Sequence, residues 1–545
     1  MASHFKWYPD ASNVVVPWNA TFEFPSQANS AVKITPRLSP KNASIFKPGT
    51  TIRLEFPAQG YVNPENTTLE FDLNLTSCTG IFQTSTIALQ YFQNNVQSIF
   101  NRVRLMYGST PLEDLQKHNY IIRQMTELTT SPSAYPDQSS ITEGIGHRTA
   151  EGQHLRRTII QGITIEGALG MNISPGQSAI TGSGTSITAT STRRYQVQFQ
   201  LGLFNQGKLI PVKYMASQLA IELTLAPIEE CIIYYPYNLD SSPPSFTPAV
   251  GPTYTVSDVN LIPEILEFDS MYDQHFLNGL QTGGVPIQFS TWHNFQTNVT
   301  GSNMQMIIQE RSRSVKAIFA FMKPSVNTLK DDSGASFGTT CSAPNDLAPA
   351  MILSYQFRIG GRYMPAAPVI CNHPGFKSGG AEAFIELQKA LNTLGDYRLS
   401  NTASTLNWDR PLIPSTAYVQ YVSTGPTYPN YGQGDGYFSN VTANPGNPNI
   451  FNNGNGISAQ CFKGPRLLAD AHYGFTSGLF CMATSLETTS GREVSGLNAE
   501  EQSDITLMVK WASNPSANIP MDLEVFTLVD QMMVLKENNV VELVV

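Results

Sequence analysis

The chain contains 545 residues, with 33 lysines and arginines against 42 aspartates and glutamates, so its formal net charge is −9. Charged residues make up 14% of the chain and hydrophobic residues 41%, which excludes a disordered chain and a heptad-based coiled coil. No stretch approaches the roughly 18 uninterrupted apolar residues that a bilayer requires, so the sequence predicts no transmembrane segment.

The first 50 residues lack the features of a targeting or nucleic-acid-packaging segment. The sequence opens Met-Ala-Ser-His-Phe-Lys, without the apolar core of a secretory signal. A segment that packages RNA would be strongly and densely basic. The charged residues are instead few and dispersed: Lys6, Lys33, Arg37, Lys41 and Lys47 against Asp10 and Glu23. We therefore predict no specific nucleic-acid binding.

Five segments alternate apolar and polar residues with a period of two, and each predicts a strand with one buried and one solvated face. They are Thr51–Phe56, Leu69–Leu75, Gln218–Leu225, Val315–Phe321 and Leu353–Ile359. Antiparallel sandwiches are built from such strands. Because sandwich domains commonly reach about 200–250 residues, the length of the chain fits two large β units.

One local order of elements occurs in both halves of the chain. The predicted strand Val103–Tyr107 ends in a glycine turn, and the capping-box pattern Thr-Pro-Leu-Glu then predicts a helix from Thr110 to about Leu128. Later, the predicted strand Leu353–Ile359 also ends in glycines, and a turn with a proline leads to a predicted helix over Ala381–Leu394. The repetition indicates a duplicated β unit.

No group of side chains indicates catalysis or a bound cofactor. Gly334–Gly338 matches the G-x-S-x-G pattern, but its flanks are typical of a loop and not of the strand and helix that a nucleophile elbow needs. His147 and His154 are the closest pair of histidines and lack metal-ligand spacing. The six cysteines contain no Cys-x-x-Cys pair and are typical of reduced core residues.

Pairs of adjacent acids are equally uninformative, because neighbouring residues on a strand point to opposite faces and cannot converge on one bond. Three such pairs occur: Glu229-Glu230, Asp331-Asp332 and Glu500-Glu501. We therefore predict that the chain has no catalytic, cofactor-binding or metal-binding residues and is not an enzyme.

Four short segments follow one another in an order that marks a protein family: Ile99–Leu128, Leu201–Leu225, Ser485–Asn498 and Leu523–Leu543. The first reads as strand, glycine turn and helix, and the second as a strand pair that turns at Gly207. The third is similar to an S-L-x-x-E…S-G-x-x-N pattern, with Glu487 one position early. Together they resemble the double jelly-roll major capsid proteins of double-stranded DNA viruses, of the polinton-like virus and virophage branch related to large eukaryotic DNA viruses.

The resemblance implies an all-β fold of two tandem eight-stranded antiparallel jelly rolls with short helices in loops. It divides the chain into an N-terminal arm (residues 1–49), a first jelly roll (50–240) and a second jelly roll (241–545). The long polar segments Thr129–Thr192 and Ser423–Ser458 are then expected to lie in outward-facing loops.

The resemblance also implies a role. Three copies form a homotrimeric, pseudo-hexagonal capsomer, and capsomers tile the icosahedral shell of the virion. The implied partners are neighbouring capsomers and penton and minor or cement capsid proteins, with no catalysis and no cofactor.

Two other functions are compatible with parts of the sequence. The Tyr, Asn and Gly content of Ser423–Ser458, together with several N-x-S/T sequons, is also typical of a carbohydrate-binding or carbohydrate-cleaving β-sandwich protein. A coat protein of a single-stranded RNA virus would require a basic packaging arm, which residues 1–50 do not supply.

Overall fold

A computed structural model gives the fold of the chain. It describes residues 31–76, 80–81, 86–92, 96–129, 158–162, 186–187, 190–238, 253–281, 283–325, 329–330, 336–337, 352–373, 377–378, 380–394, 418–423, 442–444, 447–452, 457–462, 480–487, 496–500, 504–511, 521–536 and 540–544.

The first unit is a sandwich of two antiparallel sheets. One sheet contains β1 (Ala31–Ile34), β2 (Ile45–Phe46), β4 (Tyr61–Thr76), β11 (Thr190–Gln198) and β14 (Thr253–Phe268). Its order is β1–β14–β4–β11, and β2 also pairs with β14. The other sheet contains β3 (Thr51–Glu55), β7 (Phe100–Tyr107), β8 (Thr110–Leu115) and β12 (Leu219–Leu225). Its order is β3–β12–β7–β8.

The second unit is built in the same way. One sheet contains β15 (Val285–Asn298), β17 (Val315–Pro324), β28 (Met482–Ser485) and β30 (Met521–Leu535), in the order β15–β30–β17–β28. The other contains β16 (Asn303–Ile308), β20 (Ile352–Ile359), β21 (Arg362–Ile370) and β29 (Ile505–Trp511), in the order β16–β29–β20–β21. A further strand, β31 (Val541–Val544), pairs with β30.

The two strand orders are identical once the eight main strands of each unit are numbered along the chain, with β1 and β2 as two pieces of strand one. Both units then have the sheets 1-8-3-6 and 2-7-4-5, which is the connectivity of a jelly roll. The predicted fold class, two tandem antiparallel jelly rolls, is confirmed. The predicted duplication is confirmed as well, because the topology and not only the local order of elements repeats.

Short elements connect the main strands. The helices are α1 (His118–Thr129), α2 (Ile228–Cys231), α3 (Ser270–Gln281) and α4 (Ala381–Leu391), and short 3₁₀ turns cover Val96–Ile99, Gly202–Phe204 and Val212–Tyr214. The connecting strands of the first unit are β5 (Gly80–Ile81), β6 (Thr86–Phe92), β9 (Thr158–Gly162), β10 (Ser186–Ile187) and β13 (Ile232–Asn238). Those of the second unit are β18 (Leu329–Lys330), β19 (Ser336–Phe337), β22 (Asn372–His373), β23 (Lys377–Ser378), β24 (Tyr418–Ser423), β25 (Thr442–Asn444), β26 (Asn447–Asn452) and β27 (Ile457–Phe462).

The connecting strands lie at one end of each jelly roll. In both units they lie in the connections that follow main strands three and five, and in the first unit β13 also follows strand seven. In an antiparallel jelly roll these connections emerge at the same end. β6, β9 and β13 pair into one sheet, which agrees with this placement. β13 of the first unit also contacts β19 of the second. The two jelly rolls therefore stand side by side with the same end up.

The alternation predicted from the sequence builds the core of the first unit. Ile52, Leu54, Leu69, Phe71 and Leu73 are all buried, as predicted for the apolar faces of their strands. Burying each such side chain contributes about 1.5–3 kcal/mol relative to leaving it in water. The helix predicted over Ala381–Leu394 is also confirmed, because α4 buries Leu387 and Leu391 against the second unit.

The capping box predicted at Thr110 is wrong. Thr110–Leu115 forms strand β8, and the helix begins only at His118. Gly108, with a φ of 59°, forms the turn of a hairpin in which Tyr107 pairs with Thr110 and Val103 with Leu115. Ladder hydrogen bonds to β7 thus replace the local cap.

The predicted domain boundaries also need correction. The boundary at residues 240/241 assigns Thr253–Phe268 to the second unit, but β14 pairs with β4 in the middle of a first-unit sheet. The passage between units is α3, after residue 268. The predicted arm of residues 1–49 contains β1 and β2, which pair with β14 and belong to the first jelly roll.

Candidate functional site

The two jelly rolls contact each other through the β15–β30–β17–β28 sheet of the second unit. The sequence predicts one solvated face for Val315–Phe321, but the side chains from Ala317 to Met322 are all buried. The prediction is wrong because α1 of the first unit packs on this sheet. The ring of Tyr120 lies 6.0 Å from the ring of Phe321 and 6.0 Å from that of Phe526.

The second unit in turn contributes to the core of the first. Ile287 and Phe289 of β15, with Met533 and Leu535 of β30, are buried and belong to the apolar cluster of the first jelly roll. Each unit therefore completes the core of its neighbour. Because the contact is broad and apolar, the two jelly rolls form one rigid block.

A buried carboxylate, Glu113, lies at the centre of this contact. Its Oε1 accepts a hydrogen bond from the backbone N–H of Leu203 (2.7 Å), and its Oε2 accepts one from the N–H of Gly202 (2.8 Å). The hydroxyl of Thr291, in the second unit, also donates to Oε2 (3.1 Å). The carboxylate thus joins β8, the Gly202–Phe204 turn and β15.

The surroundings of Glu113 raise its pKa. Burial raises the pKa of Glu113 to about 7, although its three hydrogen-bond donors favour the charged form. No lysine, arginine or histidine donates to this carboxylate within the described residues. In the sequence, Glu113 is part of the predicted capping box. The residues around it give no sign of its hydrogen-bond partners, which lie far along the chain.

Gly202 lies where the two backbones come closest. A Cβ atom at this position would lie 1.9 Å from the carbonyl oxygen of Ser290 and 2.8 Å from its carbonyl carbon. No side chain fits at such a distance from a backbone. The glycine therefore allows the first unit to approach β15 of the second.

A second polar cluster surrounds Glu310, in the turn between β16 and β17. Its Oε1 accepts from the Ser312 hydroxyl (2.6 Å), and its Oε2 accepts from the Thr527 hydroxyl (2.6 Å). The Nδ1 atom of His293 lies 3.0 Å from Oε2. The cluster borders an open cavity of about 530 Å³, lined by His293, Phe295, Gln309, Glu310, Arg311, Ser312, Arg313, Glu500, Glu542 and Leu543.

This cluster does not have the geometry of a serine hydrolase. Ser312 and His293 both bond to the carboxylate of Glu310, whereas nucleophilic catalysis requires the hydroxyl to bond to the imidazole base. Burial favours the protonated form of Glu310, but His293 and the hydroxyls of Ser312 and Thr527 together outweigh it and lower the pKa to about 2. Glu310 is therefore a fixed negative charge that organises the turn.

The candidates considered from the sequence do not converge. Ser336 and Phe337 of the G-x-S-x-G segment form β19, and the other three residues of the motif lie outside the described residues, as do His147 and His154. Glu500 pairs with Arg313 (2.8 Å), and its neighbour Glu501 lies outside the described residues. Asp331 and Asp332 also lie outside them.

Several other buried acidic, histidine and cysteine side chains have structural roles. Glu230 is buried, and Asn119 donates to it over 3.4 Å, while the side chain of Glu229 lies outside the described part. His118 is buried, which lowers its pKa to about 4. Cys231, Cys371 and Cys481 are buried free thiols, in agreement with the predicted reduced core residues.

Within the residues that the structure describes, no three histidine, cysteine or acidic side chains are grouped to hold a metal ion. No helix in the same ranges is long and apolar enough to cross a membrane. The features that stand out are therefore the contact between the two jelly rolls and the sheet surfaces that it leaves open. The chain is a double jelly-roll protein.

Comparison with known proteins agrees with this fold. No protein-family model and no curated protein matches the sequence. Among solved structures, a chain of the Sputnik virophage is similar over 97% of this chain and 93% of its own length, with a TM-score of 0.51 and 11% identity.

Two further structures are similar at lower TM-scores. The major capsid protein of mavirus has a TM-score of 0.48 and 10% identity, covering 99% of this chain and 96% of its own. A chain of the PBCV-1 virus capsid has a TM-score of 0.47 and 10% identity, covering 97% and 99%.

Proposed function

We propose that this chain is the structural major capsid protein of an icosahedral virus with a double-stranded DNA genome, located in the shell of the virion. The observation that carries the proposal is the pair of jelly rolls with one topology, packed in parallel into a rigid block. Such a block presents two nearly equivalent units to its neighbours. The similar Sputnik chain comes from a virus particle, which supports the same role.

Three copies of this block form a closed homotrimer with six jelly rolls and a pseudo-hexagonal outline. When one surface patch of a chain binds a different patch of the next copy, the copies form a ring if the rotation between them closes. A hexagonal outline allows neighbouring trimers to tile a shell. The elaborated ends of the two units lie on the same side, which suits outward-facing loops that include Thr129–Thr192 and Ser423–Ser458.

The other partners in this proposal are neighbouring capsomers, a penton protein and minor or cement proteins that fill the gaps of the shell. The net charge of −9 favours a shell protein without specific nucleic-acid binding. The proposed role needs no catalysis, and the polar clusters around Glu113 and Glu310 join elements of the fold.

Light scattering coupled to size-exclusion chromatography tests the proposal on the full-length chain. We expect a mass of three chains, and negative-stain images with a hexagonal outline. A glycan array serves as the second measurement, because a carbohydrate-binding sandwich would bind sugars saturably as a monomer. A stable monomer at high concentration, or sugar binding by a monomer, contradicts a capsid role.

A further inference from the structure

The edge strands of the four main sheets differ in how they are protected from other chains. An edge exposes unpaired backbone N–H and C=O groups, and proteins commonly block it with proline, charged side chains or a covering segment. Among the described edge strands, all except β16 and β28 carry such a residue: Lys33 in β1, Arg53 in β3, Pro111 in β8, Arg194 in β11, Pro286 in β15 and Pro365 in β21. β28 has only four residues, the first three of them buried. β16 has six residues, Asn-Met-Gln-Met-Ile-Ile, without proline or charge.

The hydrogen-bonding pattern of β16 shows which of its backbone groups reach the open side. β16 pairs with β29, and next to this ladder the N–H of Trp511 donates to the carbonyl of Ser302 (2.8 Å). Because backbone groups alternate in direction along an antiparallel strand, those of Asn303, Gln305 and Ile307 point away from β29. The side chains of these three residues are exposed, that of Ile307 to 58%. From the described residues, no hydrogen bond reaches this side of β16.

The equivalent edge of the first unit is covered by its own chain. The Nδ2 of Asn42 donates to the carbonyl of Thr51 (2.7 Å), and its Oδ1 accepts from the N–H of Arg53 (3.4 Å), both in β3. Asn42 reaches β3 because strand one of the first unit is interrupted between β1 and β2. In the second unit strand one is the continuous β15, which has no such segment to cover β16. The edge of β16 is therefore left for another chain.

A second copy of β16 fits this edge. Antiparallel pairing of the strand with itself places Gln305 opposite Gln305 and Asn303 opposite Ile307, so each edge-facing N–H meets a carbonyl of the other copy. All three residues are uncharged, so no like charges oppose each other across the contact. A two-fold pairing also occupies both open edges at once, which prevents further strands from adding. Such a contact cannot relate the copies within a three-fold trimer, so it must lie between trimers.

We propose that β16 pairs antiparallel with β16 of a copy in a neighbouring trimer, about a two-fold axis at Gln305. The pairing joins the two β16–β29–β20–β21 sheets into one continuous sheet. This inference rests on the proposed function, since it assigns a contact between the trimers of the shell. Every chain of a trimer has one such edge, so the contacts connect each trimer to its neighbours and extend into a lattice.

Disulfide trapping in the full-length protein tests the pairing and its register. In Gln305→Cys the two new thiols face each other with Cα atoms about 5.5 Å apart, within the range that a disulfide bridges. We expect oxidation with copper phenanthroline to link two chains and to raise the native mass to at least two trimers. Asn303→Cys and Ile307→Cys are the controls, because in either variant alone the thiols lie about 13 Å apart. A mixture of the two control variants should link, since residues 303 and 307 are opposite each other.

A proline at the centre of the edge gives a second readout. Gln305→Pro removes the N–H that bonds to the other copy and leaves the bonds between β16 and β29, because this N–H points away from β29. We expect the fraction of chains in particles larger than one trimer to fall at least about tenfold, measured by light scattering at equal concentration. Gln305→Ala keeps the N–H and should change this fraction little. Circular dichroism checks folding, and if Gln305→Pro unfolds, the disulfide pattern alone decides.

Other occupants of the edge give different results. Photo-crosslinking from Ile307→benzoylphenylalanine is expected to reach Asn303 of another chain, and crosslinks to residues 1–30 or to any other segment overturn the proposal. Equal linkage of the three single cysteine variants, linkage within one trimer, or no linkage above the wild type also overturns it. These outcomes leave a trimeric capsid protein intact. A wild-type chain that stays monomeric contradicts the proposed function, and the contact between trimers fails with it.

Discussion

The β1–β14–β4–β11 sheet of the first unit and the β15–β30–β17–β28 sheet of the second have the same strand order but different surroundings. In the first, Leu69, Phe71 and Leu73 face the core, while the residues between them bond to polar partners near solvent. In the second, Phe319 and Phe321 are buried along with Ile318 and Met322. One sheet thus has a polar outward face, and the other is covered on both sides.

This difference shows how one duplicated fold yields two distinct surfaces. The strand order is the same in both sheets, so it does not determine which sheet is covered. The difference lies in the side chains on their outward faces. A sheet that is always covered can carry apolar residues on both faces. A sheet whose outer face meets solvent carries polar residues on that face.

The largest effect is expected where the backbones of the two units approach most closely. In Gly202→Val the Cβ would lie 1.9 Å from the Ser290 oxygen, so the units must move apart. We expect a loss of more than about 4 kcal/mol in the free energy of unfolding, the upper end for single substitutions. Denaturant unfolding followed by circular dichroism measures it. Gly207→Ala is the control, because its nearest neighbour, a Glu65 oxygen, lies 3.7 Å away; equal losses would contradict the close approach.

The next effect compares the covered sheet with the open one directly. Tyr120→Ala removes a buried ring from between Phe321 and Phe526 and should destabilise the protein by about 3–5 kcal/mol. Asp72→Ala removes a partly exposed ion pair to Arg194 on the open face and should cost less than about 1 kcal/mol. Denaturant unfolding of both variants measures the difference. Similar losses in the free energy of unfolding would contradict the difference in burial between the two sheets.

Much of the fold could be predicted from the sequence because it depends on local alternation. The pattern in Leu69–Leu75 correctly predicts a strand and its buried face. Period-two alternation predicts a solvated face for Val315–Phe321, but residues 317–322 are all apolar, and such a run indicates burial on both sides. The helix that covers them, α1, belongs to the other unit. The alternation of apolar and polar residues within one strand gives no information about such a neighbour.

The contact between the units could not be predicted, because its polar residues find partners far along the chain. Glu113 bonds to the backbone of Leu203, 90 residues away, and to Thr291, 178 residues away. Its local neighbours match a capping box and therefore predict the start of a helix. The strand formed by Thr110–Leu115 became evident only from its pairing with β7.

Glu113 should give the contact between units a measurable pH dependence. Its folded pKa of about 7 lies above the usual 4.5, so its protonated form favours folding. The stabilisation is full below about pH 4.5 and is lost as pH rises to 7, an effect of about 3 kcal/mol. The measurement is unfolding free energy against pH for the wild type and Glu113→Gln. The difference between the two curves should change over this window, and parallel curves would contradict a proton held at the contact.

Glu310 should show a dependence of opposite sign, because the donors of its cluster, which lies within one unit, stabilise its charged form. Its folded pKa of about 2 lies below 4.5, so its charged form favours folding. This stabilisation is full above about pH 4.5 and is lost as pH falls towards 2, with a decrease of about 2 kcal/mol between pH 5 and 3. Between pH 5 and 3, the free energy of unfolding should fall more steeply for the wild type than for Glu310→Gln. Glu500→Gln is the control, since Glu500 borders the same cavity but is 54% exposed, and an equal response in both variants would remove the special role of Glu310.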